Sequence, residues 1–267
     1  MHTLSDTDFT RFQRFIYDAA GITMSSGKKA LVSGRLAKRL QAHRLTSFGD
    51  YFELLASGEA VSEVQMAVDL LTTNETYFFR EPKHFELLRR LATQARGRAE
   101  PFRVWSAASS SGEECYSIAM VLADVLGTGP GWEVMGTDIS QRVLQRARTG
   151  HYPLERTRHI PQDYLKKFCL RGFNEQEGTL LVERALRQRV TFAHVNLNED
   201  LPRLGSFDVV FLRNVMIYFS AETKREVVAR VLGALKPGGH FLIGHSESLN
   251  DISTAVRQLA PSVYAKP

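Results

Sequence analysis

The stretch WSAASSSGEECYS, residues 105–117, follows a short apolar run at Phe102–Trp105 and leads into a helix marked by Ile118, Met120 and Leu122. A strand that passes through small residues into a helix is the turn where an open parallel sheet meets its ligand, outside the carboxyl ends of its strands. Ser106 to Ser110, with Ser111 and Gly112, have side chains short enough for a ligand to lie against the backbone. Asp138 ends the next candidate strand, VMGTD at 134–138. A carboxylate in that place suits the two ribose hydroxyls of an adenosine.

Outward from this turn, short apolar runs recur at Glu133–Gly136, Val190–Ala193, Phe207–Leu212 and His240–Gly244, with a last candidate near Ser262–Ala265. Amphipathic stretches separate them. Strands alternating with helices imply right-handed crossovers and a mainly parallel α/β sheet covered on both faces, a Rossmann-like architecture. Lys236-Pro237-Gly238-Gly239 reads as a helix stop and turn before the His240 strand. Residues 1–72 differ in texture. Phe9, Phe12, Phe15 and Ile16, then Leu31, Leu36 and Leu40, recur at helical spacing, and no strand pattern interrupts them. The chain therefore divides into a helical region, 1–72, and an α/β region, 73–267.

One connection in the α/β region is too long. Between a helix spanning about Ser140–Gly150 and the Val190 strand lie about forty residues, where roughly 2–6 would serve. A folded insert at about 151–189 is expected, with Thr179–Val182 as a β element and Gly172 and Gly178 as turn residues. It is either a surface excursion or a recognition module beside the site.

Composition narrows the classes. With 43% hydrophobic and 24% charged residues the chain is an ordinary globular one, not disordered, collagen-like or repetitive. Apolar runs such as Val215–Phe219 fall far short of the roughly 18 residues a spanning helix needs. His2, Asp6 and Asp8 near the start do not resemble a secretory signal, so a cytoplasmic location is expected. Cys115 and Cys169 are too few for a disulfide framework and are not spaced as metal ligands. A net charge of +5 does not argue for nucleic acid, but its distribution is uneven. Lys28, Lys29, Arg35, Lys38, Arg39 and Arg44 follow one another without a carboxylate, and Arg35, Lys38 and Arg39 share a helix face. That face is either solvated or a dock for an acidic protein. Without interleaved aromatics it does not suit single-stranded nucleic acid.

Glu113 and Glu114 select the cofactor class. They stand at a helix start, where free amides and the dipole would otherwise attract an anion. Two carboxylates there repel a pyrophosphate and favour a cationic ligand, which S-adenosylmethionine is; the alternative is that they only cap the helix. TTNETYFFRE at 72–81 joins the two regions and combines Asn74, Thr76 and Arg80 with Phe78 and Phe79, whose rings fit core packing as well as ligand contact. FLRNVMIYF at 211–219 runs off a central strand, which places Arg213 and Asn214 at the cofactor edge and Tyr218 nearby. Asn196 and Leu197 end the run VTFAHVNL, with Leu197 suited to an adenine slot. Gly244-His245-Ser246-Glu247-Ser248 approaches a nucleophile elbow but lacks its final glycine and a following histidine, which excludes that hydrolase class. A nicotinamide dehydrogenase is disfavoured by the acidic helix start and the missing GxGxxG.

TTNETYFFRE, WSAASSSGEECYSIAM, GTDIS, RNVMIYF, LKPGG and GHSES, in that order, make the chain resemble the chemotaxis receptor methyltransferase family, the CheR type, over nearly its whole length. The resemblance implies a helical N-terminal docking domain, a Rossmann-like S-adenosylmethionine-dependent domain and an inserted β-subdomain. It implies methyl transfer to glutamate side chains of membrane chemoreceptors, with S-adenosylhomocysteine as product and no metal. By matching motifs, the implied cofactor contacts are Asn74, Thr76, Arg80, Glu114, Asp138, Asn196, Leu197, Arg213 and Asn214; Arg80 and Tyr218 are implied beside the reacting centre. The acidic receptor helices would face the basic helix of the N-terminal domain. Arg171-Gly172 and Gly178 resemble the family turn that reads a receptor C-terminal pentapeptide, with Phe173-Asn174 in place of a small residue and glycine. Cys115 replaces the usual proline after the paired glutamates. Two other readings stand beside this one: a non-catalytic S-adenosylmethionine-binding regulator, and a small-molecule methyltransferase.

Overall fold

A computed structural model describes residues 3–267; Met1 and His2 lie outside the described residues. The N-terminal region is a four-helix cluster: α1 Asp6–Ala20, α2 Lys29–Ala42, α3 Phe48–Ala56 and α4 Val61–Leu71. Ser5 caps α1 by accepting from Asp8 N at 3.0 Å, and Gly21 ends it at φ +69°, donating its N–H to Tyr17 O. Phe9, Phe12 and Ile16 of α1 are buried with Val32, Leu36 and Leu40 of α2. Phe12 lies at the centre, edge-on to Phe48 and Phe52. Burying such a ring is worth about 1.5–3 kcal/mol.

The basic face expected on α2 is not intact. Arg35 donates to the carbonyls of Leu71 and Thr72, at 3.1 and 3.0 Å. Arg39 holds the buried Glu63 with two hydrogen bonds, 2.8 and 2.6 Å, and Tyr51 donates to the same carboxylate at 2.7 Å. Lys29 pairs with Asp6. Of the three cations that share a face, Arg35 and Arg39 are tied into the fold and Lys38 is exposed. Helical spacing does not reveal a buried carboxylate on a neighbouring helix.

Next come α5 Pro82–Gln94, β1 Phe102–Ser106, α6 Glu113–Leu126, β2 Trp132–Asp138 and α7 Gln141–Thr149. An excursion then forms β3 His151–Pro153, α8 Gln162–Phe168, β4 Cys169–Arg171, β5 Thr179–Val182 and α9 Arg184–Arg187. The chain returns through β6 Val190–His194, β7 Phe207–Leu212, α10 Ala221–Gly233, β8 Leu235–Ile243, β9 Arg257–Ala260 and β10 Val263–Ala265. The main sheet has seven strands in the order β6-β2-β1-β7-β8-β10-β9. The first five are parallel, β10 pairs antiparallel with β8, and β9 pairs antiparallel with β10. Strand order reverses between β1 and β7, so Ser106, Asp138 and Leu212 end their strands on one edge. One face packs on α5 and α6, including Leu88, Ile118 and Leu122, and the other packs on α10, including Val227, Val228 and Val231.

The excursion is a small antiparallel sheet, β3-β5-β4. Gly172 is required there, since a Cβ would stand 2.0 Å from Gln176 O. Lys236–Gly239 does not precede a strand as a free turn. Leu235 pairs with Phe207 and His240 with Val209, so the four residues bulge within β8. β9 escaped the sequence reading because all four of its residues are exposed and show no apolar run. Among the described residues no helix is long and apolar enough to cross a membrane.

Candidate active site

A cleft at the switch-point edge is lined by Asn74, Thr76, Arg80, Glu114, Asp138, Asn196, Leu197, Arg213, Asn214 and Tyr218. The motif residues, scattered over the sequence, thus share one cavity. The turn that leads to α6 is built from backbone contacts: Ala107 N to Phe211 O, 2.9 Å, and Ser109 N to Thr137 O, 2.8 Å. Ser110 takes φ +49° and Gly112 φ +95°. At Gly112 a Cβ would sit 2.9 Å from the Tyr152 hydroxyl, so glycine serves both the dihedral and the close approach.

Asp138 accepts from Ser110 N at 2.8 Å and from Ser140 N at 2.9 Å. Burial pushes its pKa up to about 6, although the two amides favour the charged form and the nearby Asp69 opposes it. Asp69, from α4, accepts from Gln141 N and Arg142 N at 3.0 and 3.2 Å and so caps α7, immediately after the Asp138 loop. Nothing in the local pattern of α4 announced this.

Glu114 lines the cleft. Ser106 Oγ donates to it at 2.7 Å and Arg213 Nη1 at 3.0 Å. Burial raises its pKa, and Arg213 counters the rise. Glu113 does not join it, which corrects the reading of two adjacent carboxylates facing the ligand. At successive helix positions their side chains diverge by about 100°; Glu113 turns inward, is fully buried and meets Arg156 Nη2 at 2.7 Å. The carboxylates that line the cleft are Glu75, Glu114 and Asp138.

Phe78 and Phe79 belong to the core. Phe78 is edge-on to Tyr152 at 5.0 Å, and Phe79 packs on Phe85 at the same centroid distance. Phe79 and Glu81 both have positive φ, so the TYFFRE turn folds back and sends Arg80 toward the cleft. Arg80 Nη1 donates to Glu75 O at 3.2 Å, and its guanidinium lies 5.6 Å from the Tyr77 ring centroid. Asn214 is held at φ +57° by Glu247, whose Oε2 accepts from Asn214 N at 2.9 Å and Gly244 N at 2.7 Å. The GHSES motif thus serves as the clamp on the Arg213-Asn214 turn.

Asn196 and Leu197 lie beyond the end of β6 rather than at its last positions. Both line the cleft, but the Asn196 amide already donates to Ala19 O and to Glu199, each at 2.8 Å. Ala20 and Ile22 line the cleft from the helical region, and Thr23 N donates to Tyr218 O at 2.7 Å. Burial and Glu75 raise the Tyr218 pKa, partly offset by Arg80, so the phenol stays neutral.

Glu81, His84 and His245 bring three ligand-type atoms within 4.8 Å of one another. Burial and Arg213 lower the His84 pKa to about 4, so that imidazole is neutral. The Arg213 guanidinium stands 3.2 Å from Glu81 Oε2 and already supplies a cation to this cluster.

Two family models match the chain: "CheR methyltransferase, all-alpha domain" over residues 7–72 and "CheR methyltransferase, SAM binding domain" over 74–265. The chemotaxis protein methyltransferase of Escherichia coli K12 is 43% identical over 264 residues, 98% of this chain and 91% of that one. Chemotaxis protein methyltransferase 2 of Pseudomonas aeruginosa is 42% identical over 260 residues, covering 97% and 92%. Among solved structures, TrmN from Thermus thermophilus aligns with a TM-score of 0.42 and 17% identity over 69% of this chain and 48% of that one.

Proposed function

The chain belongs to the CheR methyltransferase family, and from that premise we propose how its cleft transfers a methyl group from S-adenosylmethionine to chemoreceptor glutamates. The observation that carries the reading is the meeting of Glu114 and Asp138 with Arg80 and Tyr218 in one cleft. The residues fit the cofactor. Asp138 offers acceptor lone pairs to ribose hydroxyls, Leu197 and Ile139 offer apolar surface to a base, and Glu114 favours a cationic amino-acid end. Bound there, S-adenosylmethionine supplies a methyl carbon whose bond to sulfur breaks as a bond to the acceptor oxygen forms.

A glutamate side chain has an ordinary pKa near 4.3, so at neutral pH the acceptor is already a carboxylate and needs no general base. The protein's part is orientation and exclusion of water. Arg80 is assigned to hold the acceptor carboxylate in line, and Tyr218, neutral and at the cleft, to pack or hydrogen-bond beside the transferred methyl. Asn74, Thr76, Asn196, Leu197, Arg213 and Asn214 are assigned to cofactor contact, Asn196 and Arg213 with part of their hydrogen-bonding capacity used inside the fold.

The finer partner assignments rest on surface chemistry. Lys28, Lys38 and Arg44 remain exposed on the helical region and suit an acidic receptor bundle. The Arg171–Thr179 hairpin, with Phe173 77% exposed at its tip, is the proposed reader of a receptor C-terminal pentapeptide. Incubation with methyl-labelled S-adenosylmethionine and receptor-bearing membranes tests the function. Base-labile label on receptor glutamate is expected. Label on free metabolites alone, or binding without transfer, would replace this reading with a small-molecule enzyme or a non-catalytic regulator.

A further inference from the structure

We infer that Arg156, carried by the inserted subdomain, is a positioning residue for the cofactor cleft, acting through the buried carboxylate of Glu113. The inference rests on the methyltransferase reading and concerns a residue that does not line the cleft.

Glu113 is fully buried, and a carboxylate withdrawn from water persists as an anion only with a partner. Ser111 Oγ donates to its Oε2 at 2.7 Å. Its Oε1 makes no aligned hydrogen bond, and the opposite charge beside it is Arg156 Nη2 at 2.7 Å. The same Nη2 donates to Thr76 O at 3.3 Å. Arg146 of α7 adds a weaker favourable field on the carboxylate.

The two groups that Arg156 bridges lie behind two walls of one cleft. Glu113 precedes Glu114 in the first turn of α6, and Thr76 belongs to the segment that carries Asn74 and Arg80. Neither wall is bonded to the other by regular secondary structure. The Arg156 guanidinium therefore ties the acidic helix start to the middle of the TTNETYFFRE segment, whereas Ser110 Oγ to Asn74 O at 3.3 Å, Phe79 N to Ser117 Oγ at 2.9 Å and Arg213 tie the segment's two ends. Two further contacts from the insert follow the same division: the Tyr152 hydroxyl donates to Ser111 O at 2.7 Å, and His159 lies 4.8 Å from the Tyr77 ring. The root of the insert is thus part of the frame around the cofactor, whatever its outer hairpin recognises.

The test uses the full chain with S-adenosylhomocysteine in calorimetry and S-adenosylmethionine in turnover on receptor membranes. Arg156→Ala should weaken S-adenosylhomocysteine binding by about tenfold, within the range for coupled neighbours. It should raise KM for S-adenosylmethionine similarly, while kcat at saturating cofactor stays within about threefold, because the reacting groups are untouched. Arg156→Lys, which keeps the charge, should recover part of the loss. Glu113→Gln should weaken binding too, and the double variant should be no worse than the poorer single one. Should Arg156→Ala fail to fold, Arg156→Gln, which retains a donor for Thr76, carries the same expectation of weaker binding. A merely structural role would lower the number of competent sites and leave affinity per site unchanged. Parental affinity per site in a folded Arg156 variant, or full additivity in the double variant, overturns the inference. Failure of the parent protein to bind S-adenosylhomocysteine would instead count against the proposed function.

Discussion

Arg213 Nη1 donates to Glu114 Oε2 across 3.0 Å, joining the end of β7 to the first turn of α6. The Arg213 side chain is 2% exposed and its second amino group stands 3.2 Å from Glu81 Oε2. It also donates to the carbonyl of Arg80. One buried cation is therefore shared between two carboxylates, and Arg80 adds a second positive charge near Glu114. Burial and Arg213 act in opposite directions on Glu81, and with the backbone of His245 added, its pKa settles below the ordinary value.

Replacing Arg213 with Ala should destabilise the fold by about 3–5 kcal/mol, since it leaves Glu114 and Glu81 buried without their partner. Arg213→Lys keeps a charge but cannot span both carboxylates and should fall between. Urea midpoints at constant slope measure this. A loss under about 1 kcal/mol, the scale of a surface pair, would mean that the cleft wall is held by something else.

Asp138 should give cofactor binding a pH dependence. Its pKa is raised to about 6 by burial, and hydroxyls donate more strongly to a carboxylate than to its protonated form. Affinity for S-adenosylhomocysteine should be level above pH 7 and fall as pH drops through about 6. Asp138→Ala should weaken binding by about 2–3 kcal/mol through loss of charged hydrogen bonds. The stability sign is the reverse. Between the unfolded value of 3.8 and about 6 the native state holds a proton that the unfolded chain lacks, so stability falls as pH rises through that window. Asp138→Asn removes the titration from both profiles, but it sets an amide NH2 against Ser110 N or Ser140 N and so should lose affinity and some stability at pH 8. Calorimetry and thermal melts at pH 8 and 5.5 check both halves, and a flat affinity profile would remove Asp138 from the ribose site.

Glu63 should show the opposite linkage. Burial acts to raise its pKa, but hydrogen bonds from Arg39, Tyr51 and His43 outweigh it and hold the value to about 2. A depressed carboxylate stabilises the fold above its unfolded pKa of 4.5, and that stability is lost as pH falls toward 2. The contribution is roughly 3 kcal/mol. Glu63→Gln should flatten the urea midpoint between pH 6 and 3. Arg39→Ala should lower the midpoint at pH 7, whereas Lys38→Ala, at an exposed position, should leave it unchanged and weaken receptor association in a salt-dependent way. Equal effects of the two on stability would restore the basic face as a single unit.

The α/β sheet was legible because each buried parallel strand is a short apolar run, and Asp138 and Arg213 announced themselves by standing at the ends of such runs. β9 was not legible, since an exposed edge strand needs no apolar pattern. The site residues readable from sequence are those within motifs on one strand end or turn. Ile22, Asp69 and Arg156 were invisible because their roles come from contacts across long sequence separations. Asp69 meets the α7 amides from 72 residues away, as Arg156 meets Thr76 from 80. Glu113 was misread for a related reason: adjacent helix positions point about 100° apart, and composition at a helix start cannot say which carboxylate turns inward.

In the proposed assignment, Arg80 and Tyr218 separate acceptor positioning from cofactor binding. Arg80 approaches the cleft on a turn with positive φ on either side, so its backbone is set by Phe79 and Glu81 and its side chain is free to differ without unfolding that turn. Arg80→Ala should cut kcat about 100-fold, the loss on removing one well-placed charged donor. Affinity for S-adenosylhomocysteine should change no more than kcat does. Tyr218→Phe keeps the ring and the backbone carbonyl that accepts from Thr23, and so isolates the hydroxyl. If that hydroxyl orders the reacting groups, kcat should fall about tenfold with stability intact. Because the phenol is held neutral, the parent rate should show no limb assignable to its ionisation below pH 10. Single-turnover rates at saturating cofactor decide the matter: a variant at Arg80 with the parental rate would place the acceptor carboxylate elsewhere in the cleft, with Arg80 left as a support for the Glu75 carbonyl.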